Sequence, residues 1–161
     1  MDEKVLSVVE ASGPRRVIAL AMLVGLGGLL LYIAFATPPR VLGWQLFLLV
    51  AGAGALWLAE RMRRATAGRL VLTARALTDA DGTVLARIDE LEKLDRGVFA
   101  FKPSSGFLLK LRHPGPAEWR PGLWWRLGRR VGVGGVTPRY QTRAMAELIE
   151  LRLARRDASD A

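Results

Sequence analysis

VIALAMLVGLGGLLLYIAFA (17–36), TPPR (37–40) and VLGWQLFLLVAGAGALWLA (41–59) decide the architecture of this chain. The two apolar runs are 20 and 19 residues long and carry no charge. As helices rising ~1.5 Å per residue, each is roughly 30 Å long, the thickness of a bilayer's hydrocarbon core. A helix satisfies its own backbone hydrogen bonds, so it can lie in lipid. The reading is a two-helix transmembrane hairpin over 17–59, preceded by a cytoplasmic segment (1–16) and followed by residues 60–161. Ala34-Phe35-Ala36 also fits a small-x-small cleavage site behind Arg15-Arg16. The first run is longer than a signal peptide's apolar region and a second follows at once, so the hairpin is expected to stay uncleaved.

Basic residues set the expected orientation. Lys4, Arg15 and Arg16 precede the first run, Arg61, Arg63, Arg64 and Arg69 follow the second, and the loop holds only Arg40. The positive-inside rule then puts both termini in the cytoplasm and the loop outside, as in a two-pass inner-membrane protein. Tyr32 and Trp44 lie near the outer ends and Trp57 near the inner end, where aromatic rings settle at an interface. Ala21, Gly25 and Gly28 in the first run, and Ala51 and Ala55 in the second, are candidates for close helix packing. They serve either the hairpin itself or docking to other membrane subunits. Gln45 is the only strongly polar residue in either run, so a proton relay or buried ion pair has no residues to form it.

The whole chain carries +9, and residues 60–161 hold 20 Lys and Arg against 12 Asp and Glu. A basic domain beside a membrane has a ready counterpart in anionic lipid headgroups. Nucleic acid is the other general partner of such charge, but no recognisable motif supports it and none is expected. With no cysteine, disulfides and thiol catalysis are excluded. His113 is the only histidine and cannot build a usual zinc site alone. No nucleophile–base–orienter set is visible, so the chain reads as a non-enzyme needing no cofactor or metal.

After a basic linker (60–68) the periodicity becomes that of strands. Leu70-Val71-Leu72-Thr73 opens a strand extending toward Thr78, and Asp81-Gly82 marks a hairpin turn before Val84. Val84, Ala86 and Ile88 share one face of the next strand. Asp89, Glu90, Glu92 and Asp95 surround Leu91 and Leu94 at helical spacing, which predicts a polar turn or short helix with a solvated acidic face. Val98–Lys102 reads as a strand and Pro103-Ser104-Ser105-Gly106 as a turn. Phe107, Leu109 and Leu111 share a strand face. Three prolines in His113–Gly122 predict a loop. Leu123, Trp125 and Leu127 are expected to face the core of the following strand. Thr137 reads as an N-cap with Pro138 at the first helical position. Ala144, Met145, Leu148, Ile149 and Leu151 then recur at helical spacing. Residues 157–161 are expected to form a disordered tail.

This order resembles the bacterial pleckstrin-homology-like domain, over roughly Arg69–Arg155. The resemblance rests on Leu70-Val71-Leu72-Thr73, the Asp81-Gly82 hairpin, the Ile88–Leu94 segment and the terminal helix. It implies a membrane α-helical hairpin plus a mainly-β domain (69–156), a small curled barrel of five to seven antiparallel strands capped by one C-terminal helix. It also implies binding or scaffolding in place of catalysis. His113–Trp125 and the glycine-rich Gly128–Gly135 depart from that layout.

Two stretches are candidates for contact. Residues 119–130 interleave three tryptophans with four arginines. Trp119, Arg120, Trp124, Arg126, Arg129 and Arg130 can form an interfacial lipid patch or a protein-docking surface, or the arginines can be a plain solvated face. Gly132, Gly134, Gly135 and Thr137 lie before a helix start, where backbone amides can cradle an anion. The plain alternative is a strand bend leading into the helix. The functional expectation is a membrane-anchored domain that binds anionic headgroups or scaffolds a membrane complex. The alternative is an accessory or assembly subunit of a larger membrane complex, such as an energy-transducing one.

Overall fold

A computed structural model describes residues 5–96 and 106–159. The elements run β1 (Ser7–Glu10), α1 (Gly13–Ala36), α2 (Leu42–Ala65), β2 (Arg69–Leu72), β3 (Ala76–Asp79), β4 (Val84–Arg87), β5 (Leu91–Asp95), β6 (Phe107–Arg120), β7 (Trp124–Val133) and α3 (Arg139–Ser159). The strands form two antiparallel sheets, β1-β2-β3-β4 and β5-β6-β7.

The two helices are long and apolar enough to cross a membrane. Only 11% and 17% of their apolar windows is buried, whereas a soluble core helix would be mostly covered. Pro14 in the first turn suits the start of α1, because the proline lacks only an N–H that would have no helical partner. Thr37-Pro38-Pro39 stops the helix, since a proline disfavours the α conformation in the residue before it. Gln45 closes the tip by donating from Nε2 to the Ala34 carbonyl at 3.2 Å.

The helices touch through Gly27 and Gly52. A Cβ on Gly27 would lie 2.8 Å from Leu56 Cγ and 3.0 Å from the Gly52 carbonyl oxygen. One on Gly52 would lie 2.9 Å from Leu31 Cγ. Ala21, Gly25 and Gly28 instead face outward, with nothing within 4 Å of a Cβ at Gly25 or Gly28. Ala51 and Ala55 are half-buried beside the seam. Helix α2 continues through Ala65, so Arg61, Arg63 and Arg64 ride on its last turns and are not in a linker.

The segment before the hairpin is part of the domain. β1 pairs with β2 from Ser7↔Leu72 to Glu10↔Arg69, and Val9 is fully buried. The hairpin is thus inserted between two adjacent strands of one sheet. Arg16 Nη2 ties its two ends together by donating to the Arg63 carbonyl at 3.0 Å, and Arg15 Nη1 joins the start of α1 to the segment before α3 by donating to the Thr137 carbonyl at 2.9 Å.

The strand expected to run on toward Thr78 breaks at Thr73. The Thr73 hydroxyl oxygen accepts from the amides of Arg75 (3.3 Å) and Ala76 (3.2 Å), making a tight turn without glycine or proline. In β4 the fully buried residue is Leu85, beside Ala86, while Val84 is exposed. A register shift at Leu77/Thr78 sets this parity. Leu91–Asp95 is a strand and not a helix. A register shift between Leu91 and Lys93 brings Leu91 and Leu94 onto the same buried face, which imitates helical spacing.

β6 runs straight through the segment expected to be a loop. Its pairing with β7 shifts between Lys110 and Gly115 and again between Gly115 and Glu118, which accommodates Pro114 and Pro116 as bulges. Gly128, at φ +57°, lies opposite. The β6–β7 ribbon curls back on itself there. Ten residues of straight strand would span roughly 30 Å, yet the Gly134 amide donates to the Leu123 carbonyl at 2.9 Å.

The core gathers Val9, Leu70, Leu72, Leu77, Leu85 and Leu91 from one run of strands and Phe107, Leu109, Leu111, Val131 and Val133 from the other. Met145, Ala146 and Ile149 of α3 close it. Ala144 and Leu151 point outward. The last helical turns include Asp157–Ser159, so those residues do not form a disordered tail. The expected strand Val98–Lys102 and most of the turn after it lie outside the described residues.

Candidate membrane-proximal interface

The Trp/Arg stretch divides between core and surface, and not along the expected parity. The turn Pro121–Leu123, with Gly122 at φ +84°, starts β7 at Trp124. Trp124 is 1% exposed, and its indole N–H donates to Asp79 Oδ2 at 3.0 Å in the interior. It is therefore no contact residue. Leu127, expected inside, is 69% exposed. Trp125 is partly buried and lies over Gly132, where any Cβ would collide with its ring. The cause is Gly128. Trp124 faces in before it and Val131 and Val133 face in after it, an odd spacing that an unbroken strand cannot give.

Most of the arginines have structural duties. Arg126 donates from Nε to the Pro116 carbonyl (3.0 Å) and from Nη1 to the Leu85 carbonyl (3.1 Å), bracing the folded ribbon against β4. Arg129 donates to the Leu111 carbonyl (2.9 Å) and to Glu92 (2.7 Å). Arg120 pairs with Asp81 at 3.1 Å and Glu118 at 3.3 Å. Arg130 is exposed and has no hydrogen bond or ion pair among the described residues.

What remains at the surface meets the end of α2. Trp119 is 44% exposed and shares a cavity of about 270 Å³ with Arg61, Arg64 and Arg120. Trp119, Trp125, Leu127 and Arg61 line an adjoining groove of about 520 Å³. The Arg61 guanidinium sits 5.5 Å from the Trp57 ring centroid, within cation–π range. Arg63 and Arg64 both pair with Glu60, at 2.7 Å each. Tryptophan rings and guanidinium groups thus cluster where the two apolar helices leave the domain. Sequence reasoning found Trp119 and Arg120 but missed Arg61 and Arg64 as their neighbours, because the β6–β7 turn reaches α2 only in three dimensions. Gly122 is the point of approach: a Cβ there would lie 3.0 Å from Thr66 Cγ2 and 3.1 Å from Met62 Cε.

In the glycine-rich stretch two amides are taken by the turn before β7. The amides of Gly134 and Val136 donate to the carbonyls of Leu123 (2.9 Å) and Gly122 (3.0 Å). A Cβ on Gly135 would lie 2.6 Å from the Gly122 oxygen, so this glycine permits two backbone segments to cross. Thr137 is fully buried, and its hydroxyl has no partner among the described residues. The Pro138 carbonyl accepts from the Thr142 amide, so the cap position falls one residue later than expected.

Asp89 and Glu92, two of the four clustered acidic residues, form ion pairs. Asp89 pairs with Arg87 at 3.1 Å, and Glu92 with Lys110 at 2.6 Å and Arg129 at 2.7 Å. The Lys110 hydrogen bond, helped by the nearby Arg129 charge, holds the Glu92 carboxyl below its ordinary range. Among the described residues no group of three His, Cys, Asp or Glu could hold a metal. The chain matches no known family, no curated protein and no solved structure.

Proposed function

We propose that this chain is a two-pass inner-membrane protein that holds a basic, mainly-β domain against the cytoplasmic membrane surface. Among the described residues, two sheets of four and three antiparallel strands with a C-terminal helix resemble the pleckstrin-homology-like layout. On that reading the membrane hairpin is inserted between its first two strands. The observation that carries the proposal is the cluster of Trp57, Arg61, Trp119 and Trp125 at the root of two 24-residue apolar helices. Tryptophan favours the headgroup level and guanidinium groups favour lipid phosphate. The role is binding and scaffolding, without catalysis.

The test uses the full chain purified in mild detergent from a membrane containing anionic lipid. Native mass spectrometry should find anionic lipid retained. Trp119→Ala combined with Arg61→Gln should lose it, while Arg130→Gln should keep it. Equal retention by all variants would refute a lipid contact at the helix root.

A second reading, an accessory subunit of a membrane complex, is favoured by the outward placement of Ala21, Gly25 and Gly28, which the hairpin itself does not use. Copurification of one stoichiometric membrane protein, abolished by Gly25→Leu, would select it.

A further inference from the structure

The opposite end of the domain carries a second basic feature. α3 begins beside the root of α1, where Gln141 Oε1 accepts from the Glu10 amide at 2.9 Å. Its 21 residues carry its far end roughly 30 Å away. There it meets the Thr73–Arg75 turn and the end of β4 across an open cleft of about 530 Å³. Arg75, Arg87, Arg152, Arg155 and Arg156 line it, with Asp89 the one lining carboxylate among the described residues.

The five guanidinium groups do not have equal roles. Arg156 is a brace: Nη1 donates to the carbonyls of Leu91 (2.7 Å) and Ile88 (3.2 Å), and Nη2 to Asp157 (3.0 Å). Arg87 holds Asp89. Arg152 and Arg155 make no hydrogen bond or ion pair among the described residues. A helix C-terminus favours cations, but that effect is small and confined to the last turn. It does not require arginines from β4 and from the Thr73–Arg75 turn to converge on the same space. Arg152 and Arg155 add charge there that no carboxylate pairs among the described residues, and a bound polyvalent anion would offset it. Guanidinium is also the group best shaped to grip phosphate oxygens in pairs. Ala74 and Ile88 add a small apolar surface between the charges.

We propose that this cleft is a binding site for a compact phosphate ester carrying two or more negative charges. Arg152 and Arg155 are its principal ligands, while Arg75 and Arg87, each with a partner of its own in the domain, line another part of the cleft. The cleft lies at the far end of α3 from the root of α1. The source of the phosphate is a soluble phosphorylated molecule or a lipid headgroup.

The full chain in nanodiscs of neutral lipid is titrated calorimetrically with inorganic tripolyphosphate at ~150 mM salt, where charges further apart than about 8 Å are largely screened. Saturable one-to-one binding is expected. The double variant Arg152→Gln/Arg155→Gln should bind at least about tenfold more weakly, the scale of losing one charge-assisted hydrogen bond. Arg130→Gln, an exposed arginine elsewhere, should not change affinity. Arg152→Lys/Arg155→Lys should restore only part, because charge remains but the fork is lost. Capture of separate vesicles containing a polyphosphorylated lipid would assign the ligand to a lipid headgroup. Tripolyphosphate binding without capture would assign it to solution. Either result supports the site. Absence of saturable binding, or equal losses from the Arg130 and Arg152/Arg155 variants, would overturn it. The lipid-retention result at the helix root is independent of this outcome.

Discussion

Trp124 and Trp125 are adjacent in sequence and opposite in role. The Trp124 ring fills the core and its N–H satisfies Asp79, which is itself only 6% exposed. Trp124→Phe keeps most of the volume but leaves the Asp79 carboxylate short of one donor. It should cost about 1–3 kcal/mol, the penalty for an unsatisfied buried polar group, measured by chemical denaturation. Asp79→Asn keeps the volume but turns an amide NH2 onto either the Ala80 or the Trp124 N–H, so it should also destabilise. A loss from Trp124→Phe with none from Asp79→Asn would mean that packing alone matters. Glu92 gives a pH prediction. Its folded carboxyl titrates below its unfolded value, because Lys110 and Arg129 favour the charged form. Its contribution is therefore present above the ordinary carboxylate range and lost as pH falls through the folded value. Glu92→Gln should flatten the acid limb of a melting temperature–pH curve and leave its alkaline limb unchanged. At this scale the sequence was a partial guide. Alternation correctly put Phe107, Leu109 and Leu111 inside. It failed at Trp124 and Leu127, because one positive-φ glycine reversed the parity and nothing local to the tryptophans signals that.

Among the elements, the apolar helices were legible and their seam was not. Length and absence of charge mark both runs, but small residues occur on several faces, and spacing alone did not single out Gly27 and Gly52. Gly52→Leu should force the helices apart, costing about 1–3 kcal/mol by overpacking, read as a lower melting temperature in detergent. Gly25→Leu, on the open face, should leave it unchanged. β1 was missed for a different reason. A short strand has little periodicity, and its partner β2 lies beyond the hairpin. Val5-Leu6-Ser7-Val8-Val9 was the available signal. A chain beginning at Arg69 should therefore lack cooperative unfolding and near-ultraviolet circular dichroism. Joining residues 5–12 to residue 68 through a short glycine–serine linker should restore both. Cooperative folding without β1 would show that the strand is dispensable. The prolines of β6 misled in the same way: proline usually excludes a ladder, and bulges are the exception that sequence does not announce.

The whole molecule has two basic ends with different neighbours. At the hairpin root, arginine lies among tryptophans. At the far end of α3, arginine lies among arginines. Composition gave the +9 charge without its division, which depends on α3 crossing the domain from the root of α1 to the turns after β2 and β4. One helical hairpin interrupts one sheet, and the proposed function puts β1 and the rest of the domain together on the cytoplasmic side. The absence of native cysteine makes a direct measurement simple. Single cysteines are placed at Arg40 in the loop, at Asp81 in the β3–β4 turn and at Val5 ahead of β1. Intact cells are then treated with a membrane-impermeant maleimide before and after lysis. The account predicts labelling at position 40 from outside, and at positions 81 and 5 only after lysis. Labelling of position 81 or position 5 in intact cells, or protection of position 40, would contradict it.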